Sequence, residues 1–329
     1  MNDRLIDNFG RSYKYLRISV TDRCNYRCKY CFPTNDFTPI SHEDILTYEE
    51  LLYTIEVFSK LGIEKIRITG GEPLVRKDIF SFINKVTLIN GVQEVTLTTN
   101  GSLLKKYTNK IYDSGIKRIN ISLDSLRSNK YSYITGGFDI NAIFDGIKIA
   151  KEARLNPIKI NTVLVRGFNN EEILDFCEFA SEAGVIVRFI EFMPIGNNVQ
   201  WTNDKIISGK EVIDTIASKY DIKALQHGKH DGPAKNYLLS NGATIGVITP
   251  ISNHFCNTCD KLRLTSNGKI RPCLLSDTEY DIKEFIKNRE KEKLIHLIKH
   301  SLLAKHRTYD LKKNSANKTC CRTMPQIGG

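Results

Sequence analysis

Short apolar runs and amphipathic segments alternate along the first two thirds of the chain. Runs rich in isoleucine and valine predict buried strands. These strands are expected over residues 16–22, 65–69, 94–99, 118–123, 157–165 and 185–192. Apolar residues at three- and four-residue steps predict intervening helices over residues 47–61, 79–89, 140–153 and 171–183. Six short strands, most of them followed by a helix, predict an α/β protein with a parallel sheet.

The pattern changes near residue 200. A helix is predicted over residues 209–219, and a strand-rich segment over 236–249 contains Asn241-Gly242, a strong hairpin signal. A basic amphipathic helix is predicted over residues 282–303. We therefore expect a first domain over residues 1–200, a C-terminal region over residues 201–313 and a flexible tail over residues 314–329.

Composition limits the class of protein. The 329 residues, 41% hydrophobic and 26% charged, are typical of a soluble globular protein with one large domain, or one domain and an appendage. The chain contains neither an apolar stretch of membrane-spanning length nor the apolar core of a secretion signal, so we expect it in the cytoplasm. The net charge of +11 favours a polyanionic partner, either nucleic acid or a nucleoside triphosphate, and charge alone does not choose between them.

Nine cysteines could indicate disulfides, but their odd number and their clustering favour reduced thiolates that bind metal. Cys24, Cys28 and Cys31 have a spacing that lets one loop place three thiolates around an iron–sulfur cubane. A 4Fe-4S cluster usually takes four thiolates, so three leave one iron open to a cofactor or substrate. Zinc is the alternative, although zinc prefers four ligands and no neighbouring His or Cys completes such a set.

A second triplet consists of Cys256, Cys259 and Cys273. It could be half of a zinc ribbon with His254 as a fourth ligand, or the site of a second iron–sulfur cluster. Cys177 lies on the apolar face of a predicted helix and is expected in the core. No role is argued for Cys320 or Cys321.

Several longer motifs accompany the first triplet, and together they identify a resemblance. They are residues 19–25 (SVTDRCN), 68–74 (ITGGEPL), 97–101 (LTTNG), 120–126 (NISLDSL), 188–194 (RFIEFMP) and the terminal Gly328-Gly329. With these motifs the chain resembles the radical S-adenosylmethionine (SAM) enzymes and, among them, the GTP 3',8-cyclase family of molybdenum cofactor (molybdopterin) biosynthesis. The resemblance runs from about residue 10 to the last glycine.

The resemblance implies an α/β fold, a partial (β/α)6 radical SAM barrel, with a smaller C-terminal α+β region that carries a second cluster. It implies two 4Fe-4S clusters, one on each cysteine triplet, with SAM bound at the first cluster and GTP at the second. The implied SAM contacts are Tyr30, Gly71, Ser122 and Met193. The implied GTP contacts are Arg17, Arg67, Thr98, Lys159, Lys261, Leu262 and Arg263.

The positions of three basic residues along the predicted strands agree with the implied GTP contacts. Arg17, Arg67 and Lys159 alternate with apolar neighbours on predicted strands, so they can point into a barrel. Charged groups there are costly to bury unless they are paired, and a triphosphate supplies that pairing. Lys261 stands where the family usually has arginine, and lysine keeps the charge but loses the bidentate fork. We therefore expect weaker GTP binding through Lys261.

The implied reaction is a lyase-type cyclisation. A 5'-deoxyadenosyl radical takes the ribose 3' hydrogen of GTP, and the resulting carbon radical adds to C8, giving (8S)-3',8-cyclo-7,8-dihydroguanosine 5'-triphosphate. By resemblance, Gly328 and Gly329 thread into the active site. The implied partners are an external electron donor and a downstream cyclic pyranopterin monophosphate synthase, with no nucleic acid and no membrane, for a monomer or a homodimer.

Two rival interpretations remain. A peptide-modifying radical SAM enzyme with two clusters would usually carry more C-terminal cysteines and a peptide-binding module. A zinc-containing nucleic-acid-binding protein would fit the basic charge, but it leaves the strand-end motifs unexplained.

Overall fold

One twelve-stranded sheet forms the centre of the protein, as seen in a computed structural model that describes residues 4–32, 37–195, 202–226, 228, 232–308 and 323–328. Its order is β12-β11-β10-β1-β2-β3-β4-β5-β6-β9-β8-β7. The strands are β1 (Tyr15–Ser19), β2 (Lys65–Thr69), β3 (Glu94–Thr99), β4 (Ile119–Ser122), β5 (Ile158–Leu164), β6 (Ile186–Glu191), β7 (Ile222–Ala224), β8 (Lys235–Leu239), β9 (Thr244–Ile248), β10 (Lys261–Leu264), β11 (Lys269–Arg271) and β12 (Tyr280–Asp281).

The six central strands, β1 to β6, are parallel and neighbour one another in chain order. This confirms the predicted α/β architecture and its six strands. The helices are α1 (Tyr48–Lys60), α2 (Ile79–Thr87), α3 (Leu104–Asp113), α4 (Ser128–Thr135), α5 (Asn141–Glu152), α6 (Ile173–Ala183), α7 (Gly209–Ala217), α8 (Lys283–Lys287), α9 (Lys291–Ser301) and α10 (Met324–Ile327). None of these helices is both long and apolar enough to cross a lipid bilayer.

Two helices differ from the apolar pattern of the sequence. Helix α3 was not among the predicted segments, because the polar residue Thr108 shares its buried face with Leu104 and Ile111. The single basic helix predicted over residues 282–303 is instead two helices, α8 and α9. The chain turns between them, where Arg289 adopts a φ of 55° that a continuous helix does not allow.

The C-terminal region extends the sheet at both edges. Strand β9 pairs in parallel with β6, and β8 and β7 continue beyond it in antiparallel fashion. On the other edge, β10 pairs in parallel with β1, followed by antiparallel β11 and β12. The hairpin predicted at Asn241-Gly242 is confirmed, since it joins β8 to β9 and Gly242 has a φ of 83°. The C-terminal region therefore continues the barrel sheet on both sides.

Alternation along β1 shows how the sheet builds both a core and a cavity. Leu16 and Ile18 are fully buried in the apolar core. Tyr15 and Arg17 point to the other face, where they line a cavity. Helix α1 covers the core side, beginning at a capping box formed by Thr47 and Glu50. One face of each central strand thus stabilises the fold, while the other presents polar side chains.

Candidate functional site

A cavity of about 360 Å³ collects nearly all of the site residues expected from the sequence. Its volume lies in the usual range for ligand-binding pockets. The cysteines of both triplets line this cavity, so the structure brings the two candidate metal centres together in one cavity. The expected site residues that line it are Arg17, Cys24, Cys28, Tyr30, Cys31, Arg67, Gly71, Thr98, Ser122, Lys159, Met193, Cys256, Cys259, Lys261, Arg263 and Cys273.

Two of the expected residues that the structure describes, Leu262 and Gly328, do not line this cavity. Leu262 is fully buried in the apolar core, because it alternates with Lys261 and Arg263, which face the cavity. Gly328 ends helix α10 with a φ of 76° and packs against Ser19 of β1. Gly329 lies outside the described residues, as do Cys320 and Cys321.

The first triplet lies in the loop that follows β1. The backbone N–H of Tyr26 donates to Cys24 Sγ at 3.3 Å, and Asn100 Nδ2 lies 3.7 Å from the same sulfur. Asn100 itself is fixed by donating to Asn25 Oδ1 at 2.9 Å. Cys24 Sγ therefore has one neutral donor from its own loop and a second from the segment that follows β3.

Gly70 and Gly71 bring the chain after β2 against the cysteine loop. Gly71 N donates to the Thr21 carbonyl at 2.7 Å, and Glu72 N donates to the Arg23 carbonyl at 2.8 Å. A side chain at Gly71 would clash with the Arg23 backbone. The resemblance implies a SAM contact at Gly71, and the close approach that the absence of a side chain allows at both glycines is to the backbone of the cysteine loop.

Acidic groups surround the first triplet. Burial raises the pKa of Glu72 to about 7 and that of Asp124 to about 6. Tyr30 donates to Asp124 Oδ2 at 2.7 Å. Burial is the main cause that raises the pKa of Cys24 to about 11, and Glu72 adds to it. Burial, Cys31 and Asp124 likewise raise the pKa of Cys28.

The second triplet lies at the opposite end of the strands. Cys259 precedes β10 and Cys273 follows its antiparallel neighbour β11, so both are placed at the amino end of β10. Tyr15 at the start of β1 is level with Lys261, and the first triplet follows the other end of β1. Four strand residues at about 3.3 Å each separate these levels by roughly 13 Å.

Basic side chains form a row between the two ends. Arg17 is the register partner of Arg263 on one side and of Arg67 on the other. Burial, followed by the charges of Arg263 and Arg67, lowers the pKa of Arg17 to about 9. Further along the sheet, Lys159 and Arg188 are each 5% exposed. The inner face of the barrel is therefore strongly cationic.

Two guanidinium nitrogens in this row, Arg17 Nε and Arg263 Nη1, carry buried N–H groups that find no hydrogen-bond acceptor among the described residues. Unpaired buried donors on cations are costly, and an anion with several oxygens would satisfy them. Arg67 Nη1 is already placed by donating to Thr98 Oγ1 at 3.1 Å. The row fits a phosphate-bearing ligand.

Tyr15 lies within this row. Burial alone would raise its pKa, but the positive charges of Arg67, Arg17 and Lys65 outweigh burial and lower it to about 8. Arg67 Nε donates to the Tyr15 hydroxyl. The phenol therefore ionises close to neutral pH in surroundings that strongly favour its anion.

Cys259 differs from the cysteines of the first triplet. Burial would raise its pKa, yet the charges of Lys305 and Lys261 outweigh burial and lower it. Lys305 Nζ lies 3.8 Å from Cys259 Sγ. The second triplet thus lies in a basic environment.

Both triplets offer donors that suit iron–sulfur chemistry. Thiolates are the usual ligands of such clusters, and each triplet supplies three of them to the cavity. No disulfide joins the cysteines that the structure describes. Within the same ranges, no three His, Cys, Asp or Glu side chains converge on one point as ligands of a single metal ion.

Sequence reasoning missed several polar residues at the cavity. Tyr15 could have been predicted, because it lies two residues before Arg17 on the same strand and therefore on the same face. Asp124 lies inside the motif of residues 120–126. Arg11 and Lys305 also line the cavity. No local spacing marks either of them, because they reach the second triplet from distant parts of the chain.

Comparisons with known proteins agree across the whole chain. Residues 18–180 match the Radical SAM superfamily, and residues 185–311 match the family described as Molybdenum Cofactor Synthesis C. The GTP 3',8-cyclase of Alkaliphilus oremlandii is 40% identical over 98% of this chain and 99% of the relative. That of Thermodesulfovibrio yellowstonii is 45% identical over 86% of this chain and 88% of the relative.

Solved structures share the fold. Streptococcus suis SuiB superposes with a TM-score of 0.64 at 16% identity, covering 97% of this chain and 77% of SuiB. SuiB bound to S-adenosylmethionine gives a TM-score of 0.61 at 16% identity, covering 95% of this chain and 77% of SuiB. At this identity the likeness is one of fold, and it agrees with a radical SAM architecture.

Proposed function

Because this chain belongs to the GTP 3',8-cyclase family of radical SAM enzymes, we propose that it converts GTP into (8S)-3',8-cyclo-7,8-dihydroguanosine 5'-triphosphate. This is a lyase reaction of molybdenum cofactor biosynthesis. The single observation that carries the proposal is the shared cavity, in which two cysteine triplets face a row of buried cations.

The first triplet is our proposed site for a 4Fe-4S cluster and SAM. Cys24, Cys28 and Cys31 would hold the cluster, and the carboxyl group of Asp124 lines the cavity beside them. SAM carries a sulfonium and an ammonium group, so an acidic environment suits it. A cluster bound there would supply the electron needed for reductive cleavage of SAM. Tyr30, Gly71, Ser122 and Met193 are the proposed SAM contacts.

The cationic row is our proposed site for the GTP triphosphate. Arg17, Arg67, Lys159 and Arg263 would bind its oxygens, with buried guanidinium N–H groups already directed to the cavity. Thr98 would assist through its contact with Arg67. Lys261 and the backbone at Leu262 complete the proposed set.

The second triplet is our proposed site for a second 4Fe-4S cluster, which would hold the purine end of GTP. Cys256, Cys259 and Cys273 line the same cavity as the cationic row. Three thiolates again leave one coordination position open. This arrangement would fix the nucleotide between the two ends of the barrel, with its ribose toward the radical source.

The tail is proposed to complete the active site through Gly328 and Gly329. In support, the side chains of α10 reach the cavity, since Met324 and Pro325 line it. Ile327 is fully buried against Ile195. We keep the division into residues 1–200, 201–313 and 314–329 as part of the proposal.

We further propose a cytoplasmic protein that depends on an external electron donor and passes its product to a cyclic pyranopterin monophosphate synthase. The described cysteines form no disulfide, as expected where thiols stay reduced. A monomer or a homodimer is compatible with the proposal, and neither nucleic acid nor a membrane is required.

Anaerobic reconstitution with iron and sulfide, followed by SAM, a reductant and GTP, tests the proposed function. We expect 5'-deoxyadenosine that depends on GTP and carries deuterium when GTP is labelled at the ribose 3' position. ATP in place of GTP is the matched control, since it has the same triphosphate and a different base. Deuterium-free 5'-deoxyadenosine with 3'-labelled GTP would contradict the proposed reaction.

A further inference from the structure

Lys305 is a buried cation at the second triplet, and the cluster chemistry proposed above gives it no role. It follows helix α9 and is 6% exposed. Its Nζ lies 3.8 Å from Cys259 Sγ and donates to the Lys261 carbonyl at 2.7 Å. The ammonium group therefore joins a cysteine of the triplet to the first residue of β10.

A network from the amino-terminal turn holds this lysine in place. The Lys305 ammonium lies 4.7 Å from the ring centroid of Tyr13. The Tyr13 hydroxyl donates to Asp7 Oδ2 at 2.7 Å, and Arg11 Nε donates to the same oxygen at 2.6 Å. Arg11 Nη1 in turn donates to the Cys256 carbonyl at 2.5 Å. We call Asp7, Arg11, Tyr13 and Lys305 the Asp7 network.

The Asp7 network contacts two of the three cysteines of the second triplet. Arg11 fixes the backbone at Cys256, and Lys305 fixes the sulfur of Cys259. The first triplet has a different neighbour in the same position, because Cys24 Sγ lies beside the neutral amide of Asn100. A cation, Arg27, also donates to the Cys24 carbonyl at 2.6 Å, so the two triplets differ at the sulfur itself, where Cys259 Sγ has an ammonium neighbour and Cys24 Sγ has an amide.

A positive charge beside a cluster sulfur stabilises the state with one more electron, since reduction makes the cluster more negative. A hydrogen bond to a ligating group also fixes its orientation. We propose that Lys305 is a positioning residue of the second triplet, which orients Cys259 and raises the reduction potential of the cluster bound there. This inference rests on the proposed second cluster.

The experiment isolates that cluster in the full-length chain. In the Cys24→Ala/Cys28→Ala/Cys31→Ala background, iron bound after anaerobic reconstitution belongs to the second triplet alone. Lys305→Met is compared with Lys305→Arg in this background, because methionine keeps the length without charge and arginine keeps the charge. Lys293→Met is the matched control, since Lys293 is an α9 lysine with a 67% exposed side chain. Iron per chain and the one-electron midpoint potential, followed by electron paramagnetic resonance, are the measurements.

We expect Lys305→Met to retain iron with a more negative midpoint, or to lose iron, while Lys305→Arg and Lys293→Met stay close to the parent. An unchanged midpoint with full iron in Lys305→Met would overturn the inference. Loss of iron in both Lys305 variants would also overturn it, because the effect would then follow side-chain shape instead of charge. If the parent background itself binds no iron, the proposed second cluster is contradicted. That result differs from an unchanged midpoint potential and from iron loss in both Lys305 variants, each of which contradicts only the role of Lys305.

Tyr13→Phe tests the support of Lys305 by the network. It keeps the ring under the ammonium and removes only the hydrogen bond to Asp7. We expect a midpoint shift in the same direction as Lys305→Met and smaller in size. A shift in the opposite direction would show that the network does not act through Lys305.

Discussion

The two cysteine triplets share a cavity but have opposite electrostatic surroundings. The first follows the carboxyl end of β1 and has the buried acids Glu72 and Asp124 near it. The second lies at the amino end of β10, where Lys305 and Lys261 lower the pKa of Cys259 despite its burial. The thiols of the first triplet therefore have buried carboxyl groups as neighbours, whereas Cys259 of the second triplet has ammonium groups as neighbours.

This difference suggests how one barrel could bind two ligands of opposite charge, a cationic cofactor at one end and an anionic nucleotide at the other. An acidic end suits a cationic cofactor such as SAM, and a basic end suits a nucleoside triphosphate. The parallel pairing of β10 with β1 creates the arrangement, because it places Arg263 beside Arg17 at the cavity. The amino end of the sheet, which usually serves stability in barrels of this type, here carries part of the proposed site.

The largest expected effect comes from removing one cysteine at either end. Cys24→Ala should abolish 5'-deoxyadenosine formation altogether, because the proposed radical source is lost. Cys256→Ala should leave slow SAM cleavage that no longer depends on GTP, because only the proposed substrate end is damaged. Iron per chain and 5'-deoxyadenosine, each with and without GTP, are measured anaerobically. Identical behaviour of the two variants would remove the functional distinction between the ends.

Removal of Gly328-Gly329 should abolish product formation while both clusters remain. Gly328 adopts a φ of 76°, and a Cβ there would lie 3.0 Å from the Ser19 Cβ of β1. Misplacement of groups around a substrate by about 1 Å can reduce turnover roughly 100-fold. Product is measured by chromatography, with iron per chain as the control for intact clusters. Normal turnover by the truncated chain would exclude a role for the tail in the active site.

Much of the barrel could be predicted because the central strands are local and apolar. The strands β2 and β3 have the bounds that the short runs rich in isoleucine and valine predicted, and Gly184 ends helix α6 with a φ of 60°, as is typical of a C-cap glycine. Helix α3 was not predicted because Thr108 occupies a buried position on its apolar face, and a polar residue at that position interrupts the apolar pattern of the sequence.

The candidate site could be predicted only where a motif marks it. Local spacing identified Cys24, Cys28 and Cys31, whereas Arg17 and Arg67 were expected from the family resemblance, and alternation indicated only that they can point into the barrel. The pairing of β10 with β1 joins residues far apart in the chain, and no local pattern specifies such pairing. For the same reason the contacts of Arg11 with Cys256 and of Lys305 with Cys259 were not foreseen.

A smaller effect should appear in the pH dependence at the basic end. Tyr15 is neutral below its pKa of about 8, and above it the phenolate neutralises one charge among Arg67, Arg17 and Lys65. The KM for GTP should therefore rise by a factor of about five between pH 7 and pH 8.5, the scale of ~1 kcal/mol. Because the folded pKa is lower than the unfolded value of 10.0, Tyr15 also stabilises the fold at high pH, and this contribution is lost as pH falls through about 8.

Tyr15→Phe is the variant that checks this pH dependence, since it removes the ionising group and keeps the ring. Its KM for GTP should change little over the same range, while the KM for SAM should stay constant in both proteins. A wild-type KM for GTP that is flat from pH 7 to pH 8.5 would show that Tyr15 does not titrate against the triphosphate site.

Of these variants, Lys261→Arg should change the KM for GTP the least, and it tests the contribution of a single side chain near the second triplet. Lys261 Nζ is paired with Asp260 Oδ1 at 2.6 Å, so its single point charge is already shared. An arginine could keep Asp260 with one nitrogen and offer another to the triphosphate, which should lower the KM for GTP by a factor of about two to five, at most ~1 kcal/mol. Lys65→Arg is the matched control, because Lys65 lies level with Tyr15 on the neighbouring strand and pairs with Glu94 at 3.1 Å. An unchanged or higher KM for GTP in Lys261→Arg would contradict this prediction, because it would show that a bidentate side chain at position 261 adds no binding beyond that of the lysine.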